Sequence, residues 1–476
     1  MPFADLRAWI RHLENSRELA RVKVAVEKDH EVAAICRTVN DALGPGLLFE
    51  NVVGYGVSLA CNLIGTRRRF AMALEMREET LTEEWLTRTR GTYLEPKVIS
   101  DGPCHEQVRL GNEVDLLAEF PVPIWNELDG GPYITLPIVI TRDPDTGERN
   151  AAMYRMQVHG KNRLGILMAP YRHGEMHRMK ALARGQRFPV AIAIGTDPAV
   201  ALASLAPVPY GTDELALAGA LRGEPIEVVR CVTSDLEAPA TAEIVLEGEV
   251  LMDEQEEEGP YGEFTGYYGP KVKRPVVEIK AITHRDQTIY HGLYNGRPPT
   301  EEHVIRGIPM EIQIVQQCPL PGIKKVNLTL GGCANFNAVV SIEKRFEGAG
   351  KMMGLAILGT TVGRLLKNLV IVDGDIDPSD WVQVEWALAT RMQPHRDVDV
   401  IKDLAGVLLD PSLPVSEKIT GRARTSKMII DATRYDAAEY EVPCMPKADT
   451  TERVARDWAK YGINLMPAGP LQGRSF

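Results

Sequence analysis

The sequence predicts a mixed α/β protein, α+β in its layering, in three consecutive domains: residues 1–110 as an N-terminal α/β unit, 111–310 as a strand-rich centre and 311–476 as a C-terminal α/β unit. Three observations carry that prediction. At 476 residues, 44% hydrophobic and 25% charged, the chain is long enough for two or three separate cores. Residues 111–310 are dense in short Val-, Ile- and Tyr-rich runs punctuated by Gly, Pro and Asp, the spacing of a barrel-like sheet. On either side of that region helical and strand-like patterns alternate.

In the first unit Phe3, Leu6, Trp9, Ile10 and Leu13 recur at helical spacing and predict a helix over residues 5–20. Asp5, Arg7 and Arg11 interrupt any apolar core there, so the segment does not read as a targeting peptide. A strand follows at 20–26, a helix at 31–43 with Asp29 as its cap, and strands at 47–49 and 57–63. Central strands are expected at 133–141, 151–158, 190–194, 242–251, 276–284 and 288–294. A helix carrying Met176, Met179 and Leu182 interrupts them, as does another over 213–221. The last unit alternates through 325–330, 338–342, a helix over 351–366, then 369–372 and 382–389.

Charge and composition exclude several classes. With 54 Lys and Arg against 65 Asp and Glu the net charge is −11, and the basic residues are scattered, so nucleic acid is not an expected partner. Seven cysteines (Cys36, Cys61, Cys104, Cys231, Cys318, Cys333 and Cys444) show no close metal-type spacing and read as reduced thiols. The most apolar stretch, 190–209, is broken by Asp197, Pro198 and Pro207, short of the about 20 uninterrupted residues of a membrane span. A soluble, cytoplasmic protein with no membrane partner is expected.

Three stretches could carry chemistry. Glu258-Gly-Pro-Tyr-Gly-Glu263 sets two carboxylates five residues apart across a bend that lets the backbone approach a ligand; it reads equally as a solvated turn ending the acidic run 253–258. Asn150-Ala-Ala-Met-Tyr-Arg155 puts a guanidinium in a largely apolar strand, where it needs a carboxylate, either a substrate's or a structural Glu. His173 and Glu214 could join Asn150 as nitrogen and oxygen ligands of Mn or Mg, although a lone His with His177 at helical distance is also an ordinary packed histidine.

Taken together and in this order, these stretches resemble the UbiD family of decarboxylases, which use prenylated FMN. The resemblance extends through Ala203-Ser204, 242–249, 372–377, 386–391 and 426–433, nearly the whole chain. It implies a flavin-reductase-like split β-barrel between the two α/β domains, the last of them used to form a homo-oligomer, dimer or hexamer. It also implies that Asn150, His173 and Glu214 hold Mn against the cofactor phosphate. Asn150, Ala151, Ala152, Met153, Tyr154, Arg155, Arg172, His173 and Glu214 line the cofactor, and Arg155, Glu258 and Glu263 form the catalytic network with Glu263 as proton donor. A potassium site falls at Ala203, Ser204, Ala206 and Arg391. Thr361 stands where some members have a cofactor-contacting Lys. The implied reaction is reversible, non-oxidative decarboxylation of a small aromatic, benzoate-like acid, with a flavin prenyltransferase supplying the cofactor. Physiological carboxylation, and a flavin-binding assembly role without turnover, are the competing readings.

Overall fold

A computed structural model describes residues 3–91, 93–170, 172–419, 423–435, 440–444 and 446–463. They divide into two compact units: the larger takes the described residues up to Gln316 with Leu330–Ala334 and Leu408–Pro414, and the smaller takes the rest. The first helix, Leu6–Asn15, starts where Asp5 accepts the Ala8 N–H at 2.7 Å and buries Leu6, Trp9, Ile10 and Leu13, the side predicted from their spacing. A helix follows at Glu31–Asp41, but Asp29 does not cap it: His30, with φ of 64°, turns the chain in, and the Asp29 carboxylate instead accepts the Ile124 N–H at 2.7 Å. Strands Leu19–Val22, Gly46–Phe49 and Ser58–Cys61 form a sheet completed by Ile289–His291 from far along the chain.

The centre of the larger unit is an antiparallel sheet in the order Tyr133–Ile134, Met156–Val158, Arg163–Ile166, Val272–His284, Ile244–Glu258, Phe188–Ile194, Ile138–Arg142 and Arg149–Met153, with Gln107–Leu110 added to the far end of Val272–His284. Sequence spacing predicts one strand over 151–158; the structure breaks it at Tyr154-Arg155. The break has a topological cause. Arg149–Met153 lies at one end of the sheet and Met156–Val158 next to the other, yet only two residues join them, so the strand ends are no more than about 11 Å apart. The sheet must curl until its ends nearly meet, a half-barrel whose seam is Tyr154-Arg155. Ile244–Glu258 also runs longer than its apolar pattern suggests. A register shift between Leu251 and Gln255 bends it, and the acidic run continues as paired strand.

In the smaller unit a mixed sheet, Ile323–Leu328, Asn337–Ile342, Asn368–Asp373, Arg424–Ala432 and Val398–Ala405, carries helices Ala349–Leu358 and Trp381–Arg391. Among the described residues no helix is long and apolar enough to cross a membrane, and all seven cysteines are free.

Candidate active site

The seam delivers Arg155 into the curl. Its Nε donates to Glu258 Oε1 at 3.2 Å and its Nη1 to Glu263 Oε1 at 2.5 Å, while its guanidinium carbon lies 4.6 Å from the centre of the Tyr261 ring. Glu258 ends its strand and Glu263 follows the Gly259-Pro260-Tyr261-Gly262 bend, so the bend brings both carboxylates to one guanidinium. Backbone bonds fix the bend. Gln157 Oε1 accepts the Gly259 N–H at 2.9 Å, Asp129 Oδ1 accepts the Gly262 N–H at 2.8 Å, and Pro260 O accepts from Gly130 N at 2.8 Å. Gly259 has φ of 100°, and a Cβ there would stand 2.9 Å from Pro270 O, so conformation and space both require glycine.

The Glu258 side chain is fully buried and that of Glu263 is 6% exposed. Burial pushes the Glu263 carboxyl up to about 7; Arg155 opposes this, and the negative charges of Glu302 and Glu258 add to it. Burial works against the Arg155 charge too, but Glu263 and Glu258 outweigh it and hold the guanidinium above its ordinary value. The site is therefore an ion network containing one carboxyl that exchanges its proton near neutrality.

Glu302 and His303 are residues the sequence reading passed over. Both are buried at the start of helix Glu301–Gln317. His303 Nδ1 accepts the Thr300 N–H at 3.0 Å, so its Nε2–H donates to Phe264 O at 2.7 Å, and burial lowers its pKa to about 4. This neutral ring fixes the residue next to Glu263. Thr-Glu-Glu-His reads as an ordinary acidic helix start, so no local signal set Glu302 apart.

The other end of the seam gathers Asn150, His173 and Glu214. Glu214 opens helix Glu214–Arg222, with Asp213 accepting the Leu215 N–H at 2.9 Å, and its Oε2 accepts the Ala151 N–H at 2.7 Å. His173 opens helix His173–Ala183, and its Nδ1 is 3.9 Å from Glu214 Oε1. Asn150 Nδ2 reaches Thr141 Oγ1 at 3.5 Å, and that hydroxyl bonds His177 Nδ1 at 3.0 Å; Asn150 Oδ1 is buried without a hydrogen-bond partner. Burial raises Glu214 to about 8 and lowers His173. An unpaired amide oxygen, a carboxyl short of counter-charge and a neutral imidazole fit a hard divalent cation. Among the described residues no three His, Cys, Asp or Glu side chains make such a group by themselves; this one depends on Asn150.

The remaining predicted positions divide between the units. Ala151, Ala152 and Met153 lie in the edge strand, and the hydroxyl of buried Tyr154 accepts the Gly174 N–H at 3.1 Å. Arg172 is exposed, 5.8 Å from the Tyr154 ring. Ala203 ends helix Pro198–Ala203, Ser204 donates to Ala201 O at 2.8 Å, and Ala206 N–H donates to Ala203 O at 3.1 Å. Arg391 belongs to the smaller unit, where Asp373 and Asp375 hold its guanidinium at 2.8–2.9 Å. Thr361, also there, is exposed and gives its N–H to Gln317 at 3.0 Å.

Three consecutive family models cover the chain: the 3-octaprenyl-4-hydroxybenzoate carboxy-lyase N-terminal domain at 10–89, the Rift-related domain at 97–298 and the C-terminal domain at 303–432. The chain belongs to the UbiD family of carboxy-lyases. Solved UbiD-class structures repeat its fold. HmfF from Pelotomaculum thermopropionicum, in complex with FMN, is 40% identical over 94% of this chain and 98% of its own, with a TM-score of 0.87. An evolved dimeric form of that enzyme, in complex with prenylated FMN, is 39% identical with a TM-score of 0.84, covering 94% of this chain and 98% of its own. Vanillic acid decarboxylase from Sedimentibacter hydroxybenzoicus is 30% identical over 98% of this chain and all of its own, with a TM-score of 0.86. These likenesses span both units, so UbiD membership does not rest on the central barrel alone.

Proposed function

We propose that this UbiD-family enzyme removes CO2 from a small aromatic, benzoate-like acid, using prenylated FMN held with Mn2+. The observation that carries the reading is the buried Glu258–Arg155–Glu263 network with Glu263 poised to carry a proton near neutral pH. Loss of CO2 from a ring carbon leaves an electron pair that no side chain can accept, and the modified flavin, when bound, supplies that electron sink. The FMN and prenylated FMN in the HmfF complexes support its use here.

The chain's own residues supply the rest. Arg155 has five N–H donors and spends three on Glu258 and Glu263, which leaves two for a substrate carboxylate. Tyr261 backs the guanidinium and keeps its plane in place. Glu263 gives its proton to the ring carbon as the C–C bond breaks, and the low exposure of the network excludes competing water. Asn150, His173 and Glu214 would hold Mn2+ beside the cofactor phosphate, with Thr141 orienting Asn150. Residues 150–155, with Arg172, would line the cofactor. Backbone atoms at Ala203, Ser204 and Ala206 are the positions offered for K+. We retain three domains, 1–110, 111–310 and 311–476, with the last in a homo-oligomer; exposed Trp381, Val382 and Trp386 on one helix support that use.

The test is expression with and without a flavin prenyltransferase, followed by a panel of aromatic acids. Co-expression should give a flavin-like absorbance, bound Mn and CO2 release that scales with loading. Equal activity from both preparations with no bound flavin overturns the reading.

A further inference from the structure

Decarboxylation consumes a proton. The C–C bond breaks to release CO2, the C–H bond takes the proton of Glu263, and Glu263 remains a carboxylate that must be reprotonated before the next turnover. Glu258 and Glu263 are almost sealed from solvent, so that proton needs a route.

Two strands that are not neighbours in the sheet face each other across its curl with polar residues at every second position. Arg155, Gln157 and His159 stand on one side; Glu258, the Gly259 N–H and Glu256 answer them in turn. His159 Nδ1 bonds Glu256 Oε2, and Arg163 Nε holds the other oxygen, Oε1, at 2.8 Å. The Glu256 side chain is 34% exposed and that of His159 is 10% exposed. His159 Nε2 is buried and has no hydrogen-bond partner. It lies no more than about 6.5 Å from Glu258 Cβ, since a Cβ on Gly165 would stand 3.0 Å from Nε2 and 3.5 Å from Glu258 Cβ, so glycine leaves the imidazole room on that side of Glu258. The charged groups around this ring are Glu256, Arg163 and Glu258, with Arg274 opposite Glu256 in register.

We propose that His159, carried by Glu256, is the solvent end of a proton path that recharges the Glu258–Glu263 pair after each turnover. Nε2–H of the imidazolium gives its proton inward, through ordered water, which leaves a neutral Nδ1–H ring on Glu256; a half-turn of the ring about Cβ–Cγ then brings Nε2 to the Glu256 side, where it takes a proton from solvent before turning back. The carboxylate fixes the ring by its bond to Nδ1 and leaves Nε2 as the nitrogen that takes and gives the proton. No oxidant or co-reactant enters. The proposal rests on the decarboxylase reading above.

The experiment compares loaded wild-type enzyme with His159→Gln in two regimes. With enzyme in excess and the pH held below about 7, Glu263 starts protonated, and both should form product at the same rate. Under steady-state turnover the variant should be slower by about 10-fold or more, below the roughly 10²–10⁴-fold worth of the donor itself, and added imidazole should restore it. Matching cofactor absorbance and melting profiles control for folding. Should His159→Gln fail to load, Glu256→Gln, which keeps the ring, carries the same comparison with the same expected sign. Equal steady-state rates, or equal slowing in both regimes, overturn the relay alone. A loaded wild type that turns over no aromatic acid overturns the decarboxylase reading and takes the relay with it.

Discussion

Two buried carboxyls flank the segment 149–155, and their surroundings differ in one respect. Glu263 shares a guanidinium with Glu258, whereas Glu214 accepts a backbone N–H and faces a histidine that burial keeps neutral. Both are raised, to about 7 and about 8. The first site is balanced by its own guanidinium; the second sets a carboxyl and an unpartnered amide oxygen beside a neutral ring. Burial alone therefore does not assign a role to a carboxyl. The partner that is present, or missing, does.

The most damaging way to break the comparison is Arg155→Ala. Removing one member of a buried ionic network costs about 3–5 kcal/mol, and denaturation at pH 8 should show a loss that shrinks toward pH 5 as the abandoned carboxyls protonate. Glu263→Gln keeps shape and hydrogen bonding but has no proton to give, so turnover should fall by about 10²–10⁴ while flavin and metal content stay at wild-type levels; unchanged deuterium incorporation into product from heavy water would make Glu258 the donor. At the other end, Thr141→Val should weaken Mn binding by about 10–100-fold, as loss of a group that orients a ligand does, whereas His173→Ala should release metal and flavin together, read by metal analysis and absorbance. The smallest effect is on stability against pH. Glu263 binds its proton more tightly folded than unfolded, so its contribution is full below about 4.5 and is lost as pH rises through about 7. Glu263→Gln should flatten that slope in denaturation curves taken between those values.

Much of this was legible in the sequence because it is local. The periodicity of Leu6, Trp9, Ile10 and Leu13, the helix expected over 213–221, and the Gly-Pro bend between two carboxylates are all short-range patterns. What was not legible is non-local. Residues 151–158 read as one strand because each of them suits a strand; only the requirement to reach the opposite end of the sheet breaks it at Tyr154-Arg155. The segment ending the acidic run 253–258 read equally as a solvated turn because its partners, Arg163, His159 and Arg155, lie about 90–100 residues away. Asp29 looked like a helix cap for the same reason: its true partner, Ile124, was out of local view.

The seam has one more consequence. The two ends of this sheet are joined by two residues of covalent chain, which cannot stretch as a hydrogen bond or a long loop can. Tyr154-Arg155 is therefore a gauge block that sets how far apart the two ends can stand. Room there cannot be gained by widening the half-barrel, only by trimming the side chains that line it. A single residue inserted between Met153 and Met156 would change the gauge, and with it the aim of Arg155, before it changed any contact to a substrate.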